Sequence, residues 1–126
     1  MKKIVKTNKA PEPVGPYNQA VIHNNTMYIS GQIALNPYTK ELVTNDLKNE
    51  TMLVMNNLKA ILENKNLSFD NVLKSTIFLR DMGNFKVVNE IYGSFFKSGE
   101  EPARETVEVS KLPLNVNVEI SMIAGL

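Results

Sequence analysis

Apolar and polar residues follow two periods along this chain. Lys2–Lys6 (KKIVK) reads as a short first strand. Residues 10–16 (APEPVGP) form a rigid loop, because each proline fixes its φ and removes a donor. YNQAV then leads through the asparagine-rich turn HNNT into MYISGQIAL, the two arms of a hairpin. In the second arm a period of two places Met27, Ile29, Ile33 and Leu35 on one face around Gly31. Tyr28, Ser30, Gln32 and Ala34 fall on the other.

The period then changes. Residues 45–65 carry Leu47, Val54, Leu58, Ile61 and Leu62 at helical spacing, widened by Met55. Thr44 is the expected cap, Asp46 lies in the first turn where the helix dipole favours it, and Asn66 is the expected left-handed residue, with Leu67 as its contact. Residues 71–81 (NVLKSTIFLRD) return to strand alternation. Residues 83–96 form a second helix with Phe85, Val88, Ile91, Tyr92, Phe95 and Phe96 near one face, ended by Gly99. A strand opening at Arg104 puts Arg104, Thr106, Glu108 and Ser110 opposite Glu105, Val107 and Val109. The last strand, 115–124, turns Val116, Val118, Ile120, Met122 and Ala124 toward the core.

The resulting order, β-β-β-α-β-α-β-β, predicts one α+β domain over residues 1–126 with both helices on one face of the sheet. The other face is expected to carry Arg104, Thr106, Ser30, Gln32 and Glu119, with Lys74, Thr76, Phe78, Tyr28, Ala34 and Ile123. A face half polar and half apolar suits a subunit interface with pockets in it.

Composition narrows the chemistry. Net charge is +1 and both signs are dispersed, unlike the basic footprint of a nucleic-acid binder. The chain has no cysteine and one histidine, His23. Disulfides, thiolate catalysis and cysteine zinc sites are excluded, one chain cannot build a multi-histidine metal site, and His23, beside two asparagines in a turn, reads as a surface residue rather than a ligand. No run reaches membrane-spanning length and the N-terminus lacks a signal-peptide apolar stretch, so a cytoplasmic protein is expected.

Arg104 and Glu119 stand out, because consecutive strands are often neighbours and both residues are expected on the face without helices. A plain cross-strand salt bridge is the simpler reading, worth about 0.2–1 kcal/mol. The sharper one is an arginine that holds a carboxylate with its planar fork, beside a glutamate that handles water. Tyr17 is either a loop anchor or a lid. Ser30-Gly31 is either an ordinary bulge or backbone opened to a ligand. Asn89 interrupts the apolar stripe of the second helix, a position more often used for a helix-to-loop hydrogen bond. No phosphate loop, metal motif or paired-carboxylate spacing is present.

Taken together, VGPYNQAV (14–21), ISGQIALNP (29–37), VNEIYGSFF (88–96), PARETVEVSKLP (102–113) and VEISMIA (118–124) resemble the RidA (YjgF) family of reactive-intermediate deaminases over almost the whole chain. The resemblance implies a chorismate-mutase-like α+β sandwich and a homotrimer whose sheets form a central barrel with three clefts between subunits. It implies hydrolysis of 2-imino acids and their enamine tautomers to 2-oxo acids and ammonia, without metal or cofactor. The substrates would come from serine and threonine dehydratases that use pyridoxal phosphate. By the same resemblance Arg104 holds the substrate carboxylate, Glu119 places the attacking water, and Tyr17, Ser30, Gly31, Asn89 and Thr106 line the cleft. Thr106 stands where many members carry cysteine, Glu105 where a small neutral residue is usual, and Lys40 where a turn glycine is common. Two other classes stay open: a module that binds 2-oxo acids without turnover, and an interaction protein.

Overall fold

The computed structural model describes residues 1–126. Six strands, β1 (Lys3–Val5), β2 (Ala20–His23), β3 (Thr26–Gln32), β4 (Val72–Leu79), β5 (Ala103–Glu108) and β6 (Val118–Gly125), make one mixed sheet in the order β1-β2-β3-β6-β4-β5. The helices α1 (Leu47–Glu63) and α2 (Phe85–Gly93) complete the fold. Their apolar stripes and the inward residues of the sheet form one core of 22 buried residues. Val54, Met55, Leu58, Ile61 and Leu62 of α1 are fully buried there, as the helical period predicts. Each such side chain contributes about 1.5–3 kcal/mol when removed from water. No helix is long and apolar enough to cross a membrane.

The hairpin turns at Asn24, which is left-handed with φ 54°, and pairs His23 with Thr26. Asn66 is left-handed as expected (φ 59°), and the Leu67 N–H closes back on the Leu62 carbonyl. Lys40 also adopts a left-handed φ, 63°. The cap of α1 is Asp46 rather than Thr44: its Oδ1 accepts from the Lys48 N–H at 2.9 Å, because the regular helix starts only at Leu47. Gly99 does not end α2, whose regular turns stop at Gly93; it supplies a separate turn with φ 88°.

Two expectations about faces fail. The first concerns β3. A bulge shifts the β3–β6 register between Ile29 and Gln32, so Ser30-Gly31 is indeed a bulge. The inserted residue reverses the alternation beyond it. Gln32 and Ala34 therefore point inward and are buried, while Ile33 and Leu35 reach the open side. The second concerns β5. It does not neighbour β6: it lies parallel to β4, across the α2 connection, and β4 separates it from β6. Ser75 pairs with Arg104 and Ile77 with Thr106, whereas Thr76 pairs with Glu105 and Phe78 with Val107. Ser75 and Ile77 are fully buried under the helices. Arg104 and Thr106 are therefore on the helix side of the sheet, and Glu105 and Val107 are on the open face, the reverse of the expectation. Alternation on an exposed edge strand cannot tell inside from outside, because neither face of β5 is fully covered.

Three buried polar residues tie the loops to this frame. Gln19 donates to the Thr7, Ala10 and Pro11 carbonyls and accepts from the Thr7 N–H, fixing the proline loop. Asn57 donates to the Ile33 and Leu35 carbonyls at 3.1 and 3.0 Å. Glu50, fully buried on α1, accepts from the Asn117 backbone and side-chain amides, each at 2.7 Å. This pair fixes the entry to β6. Replacing Glu50 with Leu leaves those donors unpaired, and the expected loss is about 1.5–3 kcal/mol, the usual worth of one hydrogen bond to a charged group. Urea denaturation checks it: Glu50→Leu should lower the midpoint, and Glu50→Gln should lower it less.

Candidate functional site

The expected site residues divide into two groups on opposite sides of the sheet. The first lies between β5 and α2. Arg104 Nη1 donates to Asn89 Oδ1 at 2.7 Å, so Asn89 bonds to a strand side chain rather than to a loop. The guanidinium carbon sits 5.7 Å from the Phe85 ring centre and 5.2 Å from that of Tyr92. Two aromatic faces hold the guanidinium, each such contact being worth about 0.5–1 kcal/mol at an exposed site. Phe85 serves here, 38% exposed, instead of joining the core as its place in the apolar stripe predicts. Below, the Tyr92 hydroxyl donates to Ser75 Oγ at 2.9 Å. Burial pushes the Tyr92 phenol up from its ordinary value, an effect that the Ser75 bond and the Arg104 charge oppose. Thr106 Oγ1 is buried on the same side and has no hydrogen-bond partner within the chain. Arg104 forms no salt bridge, so the rest of its N–H fork remains available to an anion.

The second group surrounds Glu119 on the open face. A cavity of about 380 Å³ is lined by Tyr17, Ser30, Gly31, Gln32, Ile33, Leu35, Pro113, Leu114 and Glu119, closed by the proline loop. Tyr17 anchors that loop, its hydroxyl oxygen accepting from the Val14 N–H at 3.3 Å, and lines the cavity. The Ser30 hydroxyl donates to the Asn18 carbonyl at 2.5 Å. Gly31 allows Glu119 to approach the backbone closely. A Cβ there would stand 2.7 Å from Glu119 Oε2 and 2.9 Å from its carboxyl carbon. Glu119 therefore lies directly over the bulge. No cation pairs with it, and burial pushes its carboxyl above the ordinary value.

The cross-strand Arg104–Glu119 salt bridge is thus absent, and the two residues do not share a face. Glu105 points away from Arg104, as alternation predicts. It accepts from the Thr76 hydroxyl and pairs with Lys74 Nζ at 3.1 Å, and these contacts hold its carboxyl below the ordinary value. Gln19, Glu50 and Asn57, which fix the walls of the second group, escaped the sequence reading of the site. Glu50 and Asn57 carry a readable signal, as polar residues at helical spacing on the buried stripe of α1. No three acidic or histidine side chains come close enough to hold a metal ion.

The family model described as Endoribonuclease L-PSP matches residues 7–126. This chain belongs to the RidA (YjgF) family. A RutC family protein of Pyrococcus horikoshii is 45% identical to this RidA-family chain over 124 residues, 98% of each sequence. A protein of Dermatophagoides farinae named 2-iminobutanoate/2-iminopropanoate deaminase is 43% identical over 122 residues, covering 97% of this chain and 94% of its own. The crystal structure of the Rid-family protein YyfA from Yersinia pestis superposes with a TM-score of 0.96 at 44% identity, covering 100% of both chains. The α+β sandwich expected from the resemblance is therefore the fold of this RidA-family chain.

The geometry around Glu119 predicts a titration. Carbon-detected NMR should place the Glu119 midpoint above that of an ordinary glutamate. Gly31→Ala should push the carboxyl out of the cavity and return the midpoint toward the ordinary value. A wild-type midpoint at or below that value would contradict the burial argument.

Proposed function

We propose that this RidA-family chain hydrolyses 2-imino acids and their enamine tautomers, such as 2-iminobutanoate and 2-iminopropanoate, to 2-oxo acids and ammonia. The carrying observation is the placement of two unpaired charges, Arg104 and Glu119, in separate polar niches on opposite faces of one sheet. A small substrate cannot touch both within one chain. It can do so in a cleft where the β5–α2 side of one copy meets the Glu119 cavity of the next. The homotrimer that the family resemblance implies would supply three such clefts. Tyr28, Leu73 and Val107, exposed by 46%, 57% and 39%, give the open face an apolar component suited to contact between copies.

In this cleft the free edge of the Arg104 guanidinium holds the substrate carboxylate, with Asn89 and the two rings fixing its plane. The Thr106 hydroxyl, buried and unpartnered in the chain, hydrogen-bonds the same group once its side chain turns toward the cleft. This fixes C2 of the imine relative to one water beside Glu119. A protonated imine is already electrophilic. Glu119 accepts a proton as the water oxygen bonds to C2 and the C=N π pair moves to nitrogen. Glu119 then returns the proton to nitrogen, the C–N bond breaks as a hydroxyl oxygen pair forms C=O, and the hydroxyl proton passes to Glu119, leaving the 2-oxo acid and ammonia. Such base assistance is worth about 10²–10⁴-fold. The Dermatophagoides relative named as a deaminase supports this reading. Pyridoxal-phosphate-dependent serine and threonine dehydratases release such imines and are the proposed upstream partners, with the cytoplasm as the shared compartment.

Arg104→Ala should abolish turnover with the fold intact, and Arg104→Lys should fail largely, since an ammonium lacks the fork. Glu119→Gln should keep 2-oxobutanoate affinity in calorimetry while slowing imine hydrolysis about 10²-fold or more. Binding of the oxo acid by the wild type with no acceleration of imine loss would make the chain a binding module instead. The pH dependence has a fixed sign. Only ionised Glu119 can accept the proton, and burial raises its pKa. kcat/KM should therefore fall on acidification through a midpoint above the ordinary glutamate value and level off above it. The Glu119→Gln variant should lose that acid limb.

A further inference from the structure

The turn leading into β6 is conformationally strained where it meets the Glu119 cavity. Leu114 and Asn115 have φ of 55° and 58°. Asparagine tolerates the left-handed region, but leucine is an outlier there. Such strain persists only where the surroundings over-determine the backbone, and here they do. Leu112 and Val116 are buried on either side of the turn, the Arg80 guanidinium donates to the Asn115 carbonyl at 3.0 Å, and Glu50 holds Asn117 from below. Leu114 itself is 58% exposed and lines the cavity, so core packing is not what keeps it in place.

We propose that Leu114 is a specificity-determining residue, which selects 2-imino acids with extended apolar side chains over those with the smallest ones. The inference rests on the deaminase reading of the same site. C2 of the substrate carries three substituents. The carboxylate goes to Arg104 of the adjoining copy, and the imine nitrogen faces the polar side of the cavity with Glu119 and the Ser30-Gly31 bulge. The side chain is left with the apolar wall, made by Ile33, Leu35, Pro113 and Leu114. Ile33 and Leu35 face that way because the bulge reverses the alternation of β3. At about 380 Å³ the cavity is within the usual range of small-molecule pockets. Leu114, at the tip of a clamped turn, forms the movable-size part of the wall.

The test compares 2-imino-4-methylpentanoate with 2-iminopropanoate, each generated in solution by an amino-acid oxidase. The readout is the ratio of their kcat/KM values in wild type, Leu114→Lys and Leu114→Gly. Both substitutions should lower the ratio about tenfold or more, the range for apolar methylenes in a pocket. Calorimetry with 4-methyl-2-oxopentanoate and pyruvate should show the same fall in relative affinity, which tests Leu114 even if the chain only binds. Glycine accepts a positive φ without strain, so Leu114→Gly should not lower Tm. Ratios unchanged by both substitutions overturn the proposal while leaving the deaminase reading intact. Altered binding ratios without hydrolysis by the wild type would sustain Leu114 as the selector and overturn the deaminase reading. A wild-type chain that neither binds the oxo acids nor hydrolyses the imines overturns both.

Discussion

Phe78 pairs with Glu119 on one side and Val107 on the other, so the open face carries a row that ends in the candidate water-handling carboxylate. Three residues earlier on β4, Ser75 pairs with Arg104 and Met122 on the helix side. The odd separation, three residues from Ser75 to Phe78 on one strand, fixes the two charges on opposite faces. Everything proposed for the site depends on this ladder. The sheet keeps Arg104 and Glu119 from neutralising each other, and each keeps the bonding capacity that a direct pair would consume.

Each charge is supported without a counter-ion. Arg104 has an amide oxygen and two aromatic faces, which orient the guanidinium and leave donors unused. Glu119 lies on a glycine backbone within a partly apolar cavity, which raises its pKa and so its basicity. Buried polar side chains hold the walls: Gln19 the proline loop, Asn57 the strand beyond the bulge, Glu50 the turn before β6. In each case a buried group is satisfied by backbone or amide partners, the condition for placing polarity inside a fold without a large penalty.

Much of this was legible in the sequence. The helical stripes, the HNNT hairpin, the left-handed Asn66 and the alternation of β6 all emerge from local period and turn chemistry, and each of these elements is strongly patterned. The errors arose where local pattern carries no global information. An edge strand with both faces partly exposed does not reveal which face meets the helices, so alternation alone puts Arg104 on the wrong side. A one-residue bulge after Ile29 reversed the phase of Gln32 and Ala34. The parallel placement of β5 beside β4 is a long-range choice, which the preference for consecutive neighbours mispredicts. The candidate site residues come from motif resemblance, whereas the separation of Arg104 from Glu119 requires the register.

The central claim is that one working site takes Arg104 from one copy and Glu119 from another. Subunit complementation tests it directly. Arg104→Ala and Glu119→Gln chains, each inactive alone, are mixed in equal amounts, unfolded, refolded together and assayed for imine hydrolysis. Random assembly gives roughly a quarter of the clefts two intact halves, and a comparable fraction of wild-type activity should return. No recovery, from a mixture shown to contain both chains in one assembly, would mean that both residues act within a single chain, and would contradict the account.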